Sequence, residues 1–268
     1  MIVVKIGGSE GIDIEAVCAD LAEAIRGGEA AVLVHGGSHE STDIATRIGH
    51  PPRFVTSVSG HSSRYTDRET MEILAMVMGG RINALLVERL QGLGVNALGL
   101  SGVDGRLLEA VRKPVLRIVE DGRKVVLRGE YSGRIERVNA RLLTTLLKDG
   151  YTPVVAPFAI SADHELVNVD GDRAAAAIGG ALGAEAVVLL TNVPGLLRDV
   201  EDPASRITAV SVADAEAVLE QVAKGRMKRK VLGAVEAVHA GVGRVVLADG
   251  RCERPLQRAL AGEGTVVS

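Results

Sequence analysis

The sequence predicts an α/β fold: a doubly wound, mainly parallel central sheet with helices on both faces, and a basic β-hairpin in the N-terminal half. Short apolar strands alternate with amphipathic helical patterns along the whole chain, which is typical of βαβ units. The strand segments are continuous apolar runs, as expected for strands buried on both faces of a parallel sheet. At 268 residues, the chain can form one large core or two joined lobes.

Composition and charge argue against several classes of protein. A hydrophobic fraction of 47% with 24% charged residues argues against disorder. The net charge of −3 and the absence of tryptophan argue against nucleic-acid binding, which uses basic surfaces and aromatic platforms. Cys18 and Cys252 fit neither a metal-binding spacing nor a disulfide framework. Since we find no signal peptide and no apolar run of membrane-spanning length, we expect a soluble cytoplasmic protein.

The opening strand ends in the sequence Lys5-Ile6-Gly7-Gly8. Lysine is rarely buried without a partner, and glycine lets the backbone approach a ligand closely. In open α/β sheets, ligands bind at the carboxyl ends of the strands. From this pattern alone, an anion site with Lys5 as its charge and a simple glycine turn are equally supported.

The next unit of the chain repeats this arrangement. A helix is predicted after Asp13, which is a suitable N-cap, and a strand from Ala30 to Val34 then ends in His35-Gly36-Gly37. Parallel strands place both glycine pairs at the same edge of the sheet. We expect His35 to be a hydrogen-bonded structural histidine rather than a catalytic one.

The middle of the chain is predicted to contain a long loop, a long helix and a further buried strand. The stretch from Gly49 to Thr66 is polar and loop-like, and it carries Arg64. A helix from Asp67 to about Gln91 follows, and the strand extends from Val95 to Leu100.

A basic hairpin is predicted next. Two β-like segments, Val115 to Val119 and Lys124 to Arg128, flank Asp121-Gly122, which is a strong hairpin signal. Eight basic and four acidic residues lie from residue 112 to residue 137, so this segment has a net charge of +4. From the pattern alone, a solvated hairpin whose charges prevent aggregation is slightly favoured over a docking surface for an acidic partner.

Two later helices begin with unusual charge. Asp170 and Asp172 lie at the start of one helix, where capping alone could explain them. The helix that starts near Gly225 carries four cations up to Lys230, although the helix macrodipole favours negative charge there. Because helix N-termini bind phosphate, this cluster indicates a polyphosphate ligand rather than a merely basic surface turn.

The glycines match no common phosphate motif. The stretch from Gly7 to Gly11 does not fit G-x-G-x-x-G, the P-loop pattern is absent, and no Ser-His-Asp or Cys-His arrangement has a supporting motif. A phosphate site built from glycines and lysines in distant parts of the chain is what remains.

Six motifs, in the same order along essentially the whole chain, resemble those of the amino-acid kinase family. Within it, the chain is most similar to the acetylglutamate kinase branch, and there to kinases that phosphorylate α-aminoadipate held on a small acidic amino-group carrier protein in lysine biosynthesis. The polar stretch from Thr56 to Ser63, the sequence Asp170-Gly171-Asp172 and the basic hairpin favour this last group. The six motifs are Val3 to Gly8, Val34 to Gly37, Arg64 to Asp67, Gly99 to Gly102, Asn168 to Asp172, and Gly225-x-Met227-x-x-Lys230.

The resemblance implies a reaction and a role for each site residue. ATP, with Mg²⁺ bridging its phosphates and no metal held by the protein itself, would phosphorylate a side-chain carboxylate to an acyl phosphate. Lys5 and Lys230 would neutralise the γ-phosphate from opposite sides, and Asp172 would hold both lysines. The implied substrate-binding residues are Gly36, Gly37, Arg64 and Asn168; the implied nucleotide-binding residues are Gly7, Gly8, Thr191, Asn192, Val193, Gly195, Leu196, Gly225 and Met227, with Lys224 beside them; the implied carrier-docking residues are Lys113, Arg117, Lys124 and Arg128.

The resemblance also implies two lobes, 1–170 for the acyl substrate and 171–268 for the nucleotide. The implied partners are the carrier protein, a downstream acyl-phosphate reductase and a second copy in a homodimer, with no membrane or nucleic acid. Three substrates stay open: carrier-linked aminoadipate, carrier-linked glutamate, and the free N-acetylglutamate of arginine biosynthesis. The presence of both lysines and Asp172 argues against a non-catalytic amino-acid or nucleotide sensor on the same fold.

Overall fold

Eighteen strands and nine α-helices make up the part of the chain that this computed structural model describes, residues 1–58, 60, 62–222 and 225–268. The strands are β1 (Ile2–Ile6), β2 (Ala31–His35), β3 (Phe54–Ser57), β4 (Ser62–Arg64), β5 (Ala97–Ser101), β6 (Leu108–Arg112), β7 (Val115–Glu120), β8 (Arg123–Arg128), β9 (Gly133–Val138), β10 (Thr152–Ala156), β11 (Phe158–Ile160), β12 (Leu166–Asn168), β13 (Ala186–Thr191), β14 (Leu196–Leu197), β15 (Arg206–Ile207), β16 (Ala209–Val210), β17 (Arg244–Asp249) and β18 (Thr265–Val267). The helices are α1 (Ile14–Arg26), α2 (Ser38–Arg47), α3 (Arg68–Leu74), α4 (Asn83–Gly92), α5 (Ala140–Lys148), α6 (Gly171–Leu182), α7 (Ala215–Val222), α8 (Gly225–His239) and α9 (Pro255–Leu260).

The central sheet confirms the predicted α/β architecture. Its eight strands lie in the order β16-β18-β17-β13-β1-β2-β10-β5, and the six from β17 to β5 are parallel. Alternate residues of β1 face opposite sides. Val3 packs into a core with α5, α6 and α8, whereas Ile2, Val4 and Ile6 pack with α1, α4 and α9. Helices therefore cover both faces, as the continuous apolar strands predicted.

The long helix predicted from Asp67 to Gln91 is present, but it contains a π-helical segment. The helix begins with Asp67, whose side chain accepts a hydrogen bond from the Thr70 N–H at 2.8 Å. The π segment, Ala75–Ile82, joins α3 to α4. By length and hydropathy alone, residues 68–92 could cross a membrane, contrary to our expectation, with a mean hydropathy of 1.4 over the best window. A core helix passes the same test, and 44% of that window is buried in the fold.

A small antiparallel sheet corrects the loop predicted between Gly49 and Thr66. β3 pairs with β4 and also with β7, so the order of this second sheet is β4-β3-β7-β8. The β7–β8 hairpin is confirmed, and its turn residues Asp121 and Gly122 have φ values of 49° and 75°. These positive angles suit a tight hairpin turn. Ser59 and His61, which belong to the polar stretch from Thr56 to Ser63, lie outside the described residues.

A third sheet, with the order β12-β11-β6-β9, was not predicted. Its strands are short and come from distant parts of the chain: β6 pairs with β9, and β11 pairs with both β6 and β12. β11 follows β10 of the central sheet after a single residue. This sheet therefore places Asn168, at the end of β12, close to the carboxyl ends of the central strands.

Candidate active site

Two lysines from distant parts of the chain meet on one aspartate. Lys5 lies on β1 with only 6% of its surface exposed, and its Nζ is 2.7 Å from Asp172 Oδ1. Lys230, on α8, contacts the other carboxylate oxygen, Oδ2. The α6 cap sets the position of Asp172, because the Asp170 side chain accepts hydrogen bonds from the N–H groups of Asp172 and Arg173. The structure thus brings together the three predicted catalytic residues.

The electrostatics of this cluster keep Asp172 ionised. Burial alone would raise the pKa of Asp172, but the ammonium groups of Lys5 and Lys230 outweigh burial and hold this pKa well below its usual range. One carboxylate facing two ammonium groups leaves the cluster one positive charge in excess. A positive, largely buried cluster at the end of a central strand is suited to bind an anion.

The two glycine pairs meet beside this cluster, as the parallel strands predicted. A methyl group added at Gly8 would lie 2.5 Å from the Gly37 nitrogen and 2.7 Å from the Ser38 nitrogen, and one added at Gly36 would lie 2.5 Å from the Gly8 nitrogen. The Gly8 carbonyl accepts a hydrogen bond from the His39 N–H, at the start of α2. Only glycine allows the two backbones to approach this closely at the positive end of a helix.

An open cleft of about 260 Å³ lies along these loops and is lined by both glycine pairs and by the first turn of α2.

Arg64 reaches the first turn of α2 from β4. Its guanidinium donates hydrogen bonds to the Ser38 carbonyl at 3.1 Å and to Thr42 Oγ1 at 2.8 Å, and it lies over the Phe54 ring. Burial lowers the pKa of Arg64 from its usual value, and arginine stays charged in proteins. The structure therefore supplies a cation near Gly37.

Asn168, at the end of β12, contacts the chain next to Arg64. Its side-chain amide donates a hydrogen bond to Thr66 Oγ1 at 3.3 Å, two residues along the chain from Arg64. The predicted substrate residues therefore lie on adjoining segments, although Arg64 and Asn168 come from different sheets. Sequence spacing could not have shown this proximity, because it depends on how the second and third sheets pack.

A buried histidine network, centred on His35 and Asn83, fixes one of the glycine pairs. His35 is 1% exposed, its Nδ1 lies 3.0 Å from the Gly36 carbonyl oxygen, and its Nε2 lies 3.1 Å from Asn83 Nδ2. Since the carbonyl can only accept, Nδ1 carries the proton and Nε2 accepts from Asn83. The Gly36 carbonyl thus points at the ring, and the N–H of Gly37 points the opposite way across the trans peptide. His35 is structural, as expected, whereas no sequence pattern indicated Asn83, which directly follows the π segment.

His35 should make the protein less stable in mild acid. Burial lowers the pKa of His35 to about 4 from its usual value of 6.5, so between these pH values the unfolded chain binds a proton that the folded chain does not. The stability that depends on neutral His35 is fully present above pH 6.5 and is lost progressively as the pH falls to 4. We expect the His35 term to remove up to about 3 kcal/mol from the free energy of unfolding between pH 7 and pH 4.

Urea unfolding of the wild-type and His35→Gln proteins at pH 7, 5.5 and 4 measures this contribution. The difference between their free energies of unfolding should narrow as the pH falls, because glutamine does not titrate. A difference that is the same at all three pH values would contradict a neutral, buried His35.

The predicted nucleotide-binding loop begins where β13 ends, next to β1. The Gly7 N–H donates to the Leu190 carbonyl at 2.9 Å, and Asn192 Nδ2 lies 3.5 Å from the Glu10 carbonyl, so this loop adjoins the first glycine loop. Thr191 Oγ1 bonds with both backbone groups of Val193. The loop closes against Thr265: the Leu196 N–H donates to Thr265 Oγ1 at 2.8 Å, and Gly195 lies against the same side chain.

Three other predicted nucleotide residues lie in the core or in the first turn of α8. The Leu196 side chain is buried in the core, and Met227 packs against the same core cluster from α8. Gly225 begins α8, as predicted, while Lys224 lies outside the described residues. Across the described ranges, no hydrogen bond or ion pair joins the loop after β13 to Lys5, Asp172 or Lys230. No group of three or more His, Cys, Asp or Glu residues that could hold a metal ion is found there either.

Comparisons with known proteins identify the family of the chain. A model described as "Amino acid kinase family" matches residues 1–249. The chain is 58% identical, over all of its length and 91% of the relative's, to "LysW-aminoadipate kinase" of Deinococcus radiodurans. It is 53% identical to the protein of the same name from Thermus thermophilus and 42% identical to "Acetylglutamate kinase" of Methanopyrus kandleri, in both cases over the full length of both chains.

Among solved structures, N-acetylglutamate synthase from Neisseria gonorrhoeae, complexed with coenzyme A and N-acetyl-glutamate, superposes with a TM-score of 0.81 at 25% identity. The match covers the whole of the present chain and 59% of the longer synthase chain. The fold, the order of the motifs and the family match therefore agree, and the chain belongs to the amino acid kinase family.

Proposed function

We propose that the chain is an ATP-dependent kinase that phosphorylates the side-chain carboxylate of α-aminoadipate attached to a small acidic amino-group carrier protein, as a cytoplasmic enzyme of lysine biosynthesis. The observation that carries this proposal is the contact of Lys5 and Lys230 with one ionised aspartate beside the two glycine pairs. The names of the two relatives above 50% identity support the substrate, because both pair aminoadipate with LysW.

The reaction needs charge stabilisation more than proton transfer. A side-chain carboxylate has a reference pKa of about 4, so it is ionised at neutral pH and needs no general base. Its oxygen attacks the γ-phosphorus of ATP, the bond from that phosphorus to the β–γ bridging oxygen breaks, and ADP leaves. The obstacle is repulsion between the carboxylate and the γ-phosphate. Lys5 and Lys230 would offset that repulsion from opposite sides, both held in place by Asp172.

Mg²⁺ would enter this site bound to the nucleotide. The described residues offer it no cluster of carboxylates or histidines, and the carboxylate of Asp172 is already shared by two lysines. Phosphate oxygens would therefore be its main ligands, as is usual for Mg²⁺ in kinases. Bound there, Mg²⁺ would neutralise part of the phosphate charge.

The catalytic cluster would lie where two lobes meet. In the proposed division, residues 1–170 bind the acyl substrate and residues 171–268 bind the nucleotide. Lys5 belongs to the first lobe, whereas Asp172 and Lys230 belong to the second. The contact of Arg64 with α2 and the position of Asn168 support substrate binding on the side of the first lobe, with the γ-phosphate at the junction.

The outer face of the basic hairpin suits an acidic partner. Arg112, Arg134 and Arg137 are each paired with a glutamate, but no carboxylate among the described residues lies within 4 Å of the exposed Lys113, Arg117, Lys124 or Arg128. Exposed valines alternate with these cations, so the face offers both charge and apolar area. The cross-strand pairs are Val115 with Arg128, Arg117 with Val126, and Val119 with Lys124.

This face leads to the substrate site along one sheet. Thr56 on β3 pairs with Val119 of the hairpin, and Phe54 on β3 pairs with Arg64 on β4. Residues paired in this way point to the same side of a sheet. A carrier seated on the hairpin could therefore extend its attached aminoadipate toward Arg64. We define this surface, from Arg64 to the hairpin, as the docking face.

One assay distinguishes the candidate substrates. ATP-dependent acyl phosphate, trapped with hydroxylamine as a hydroxamate, should form with carrier-linked aminoadipate faster than with carrier-linked glutamate or free N-acetylglutamate. Preference for free N-acetylglutamate would favour the second candidate function, an acetylglutamate kinase. The full-length match to the Methanopyrus protein supports this candidate. Formation of no hydroxamate with any acceptor would reject the proposed activity. The family resemblance further suggests a homodimer, and the reactive product suggests transfer to a reductase.

Reversing charge on the docking face should weaken binding of the carrier. We expect the double variant Arg117→Glu, Lys124→Glu to raise KM for carrier-linked aminoadipate about tenfold or more at low salt, because like charges now face the acidic partner. The effect should shrink as added salt screens the exposed charges. KM for ATP should not change.

A double variant on α5 is the matched control. Arg141→Glu, Lys148→Glu makes the same charge change on exposed residues of that helix and should leave both KM values unaltered. If KM for the carrier conjugate stays unchanged in the hairpin variant, or rises equally in both variants, the hairpin is not a specific docking site.

A further inference from the structure

A short segment joins the basic hairpin to the predicted substrate residues. It comprises residues 128–132, from the last residue of β8 to the residue before β9, and we call it the connecting segment. Tyr65 Oη donates a hydrogen bond to the Arg128 carbonyl at 2.6 Å, and the Tyr131 N–H donates to the Thr66 carbonyl at 2.7 Å. On its other side, the Asn168 N–H donates to the Tyr131 carbonyl at 2.7 Å. The connecting segment therefore lies between the chain next to Arg64 and the strand that carries Asn168.

The connecting segment contains a buried carboxylate, Glu130. This residue is 1% exposed, its Oε2 accepts a hydrogen bond from the Thr66 N–H at 3.3 Å, and its Oε1 accepts one from the Ser132 N–H at 3.0 Å. Ser132 in turn forms an isolated bridge with Asn168. One carboxylate thus holds the backbone beside Arg64 and the backbone beside Asn168 at the same time.

No lysine or arginine compensates this buried charge within the described ranges. Arg112 lies in this region, but its Nε donates to the backbone carbonyl of Glu130, and its guanidinium stacks on Tyr131 and pairs with Glu165. Burial raises the pKa of Glu130 above its usual value, which reflects the cost of holding a carboxylate there. The N–H groups of Thr66 and Ser132, together with the Ser132 side chain, satisfy this carboxylate instead, so its hydrogen bonds fix the geometry of the two segments that donate to it.

We propose that Glu130 is a positioning residue for the acyl substrate: through the N–H groups of Thr66 and Ser132, it holds Arg64 and Asn168 at the separation that one substrate carboxylate requires. This inference rests on the proposed function, in which those two residues bind the α-carboxylate. Glu130 itself is buried and does not line the cleft. Specificity for the acyl group would then depend on a residue of the connecting segment.

The variant Glu130→Gln tests this role with almost no change in size. A glutamine side chain offers one acceptor and one donor, so one of the two backbone N–H groups would face another N–H. We expect KM for the acyl acceptor to rise about tenfold to a hundredfold, the usual effect of losing a hydrogen bond to a charged group. KM for ATP and kcat should stay within about twofold, because Lys5, Asp172 and Lys230 form no contact with Glu130.

Glu165→Gln is the matched control. Glu165 pairs with Arg112 at 2.5 Å, has 30% of its side chain exposed and lies in the same region, but it contacts neither Thr66 nor Ser132. The same chemical change there should leave both KM values unaltered. If both variants change KM equally, or if Glu130→Gln lowers kcat and raises both KM values together, Glu130 has only a general structural role and the proposal is wrong.

Amide hydrogen exchange separates this inference from the proposed function. The N–H groups of Thr66 and Ser132 should exchange faster in Glu130→Gln than in the wild-type protein or in Glu165→Gln. If the wild-type protein phosphorylates no acyl acceptor, the proposed function fails, but unchanged exchange at Thr66 and Ser132 would still overturn the role of Glu130. If Glu130→Gln does not fold, Glu130→Asp is the second variant, because it keeps the charge and is one methylene shorter. Glu130→Asp should show the same selective rise in KM for the acyl acceptor. An unchanged KM for the acyl acceptor in Glu130→Asp would overturn the proposal.

Discussion

Replacing either active-site lysine by alanine should lower kcat by about a hundredfold to a thousandfold, the usual loss when one group that stabilises transition-state charge is removed. Lys5 and Lys230 approach Asp172 from different elements, so neither ammonium can take over the position of the other. Steady-state kinetics of ATP-dependent hydroxamate formation measures the effect. KM for the acyl acceptor should change much less than kcat, because the lysines act on the transferring phosphoryl group.

Lys148→Ala is the control for the loss of a lysine as such, since Lys148 is exposed at the end of α5. Circular dichroism should show that both active-site variants remain folded. Near-normal turnover in Lys5→Ala or in Lys230→Ala would contradict the scheme in which two lysines neutralise one γ-phosphate. A large increase in KM with an unchanged kcat would instead assign the lysine to ground-state binding.

Lys5 and Lys230 could be found from the sequence because each one breaks a local rule. Lys5 is the charged residue in an otherwise apolar strand, and Lys230 belongs to a group of cations at a helix start, where the macrodipole disfavours them. The parallel sheet then explains why two glycine pairs far apart in the chain meet at one edge. Strand periodicity, however, could not show that Asp172 joins the two lysines. That contact was expected from the family resemblance, and the structure shows it.

Residues whose role depends on packing between sheets were not predictable. Glu130 is one of four acidic residues in the basic segment of the sequence, and nothing in its neighbours indicates that it is buried. Asn83 reaches His35 from the end of a π segment, and a hydrophobic pattern does not distinguish a π from an α turn. Apart from the β7–β8 hairpin, the second and third sheets consist of short strands that pair over long distances in the chain, for which local propensity is a weak guide.

Adding a single methyl group at Gly8 should nearly abolish activity. The new carbon would lie 2.5 Å from the Gly37 nitrogen and 2.7 Å from the Ser38 nitrogen, and both are backbone atoms that cannot rotate away. The φ angle of Gly8 lies outside the left-handed region, so this angle does not exclude alanine. The steric clash with the backbone of Gly37 and Ser38 is what disfavours the substitution. The loop after β1 and the start of α2 must therefore separate. A shift of about 1 Å at a reacting site can cost a hundredfold in rate, so we expect kcat/KM to fall at least that much.

Gly92→Ala provides the matched comparison, because a methyl group there meets nothing within 4 Å at the end of α4. That variant should keep full activity and unfold at the same or a slightly higher urea concentration, since alanine is favoured over glycine in a helix. Gly8→Ala should also lose about 1–3 kcal/mol of unfolding free energy through overpacking. Normal kcat/KM in Gly8→Ala would mean that the close approach of the two glycine loops is not needed for phosphoryl transfer. A loss of stability without a loss of activity would assign Gly8 to packing alone.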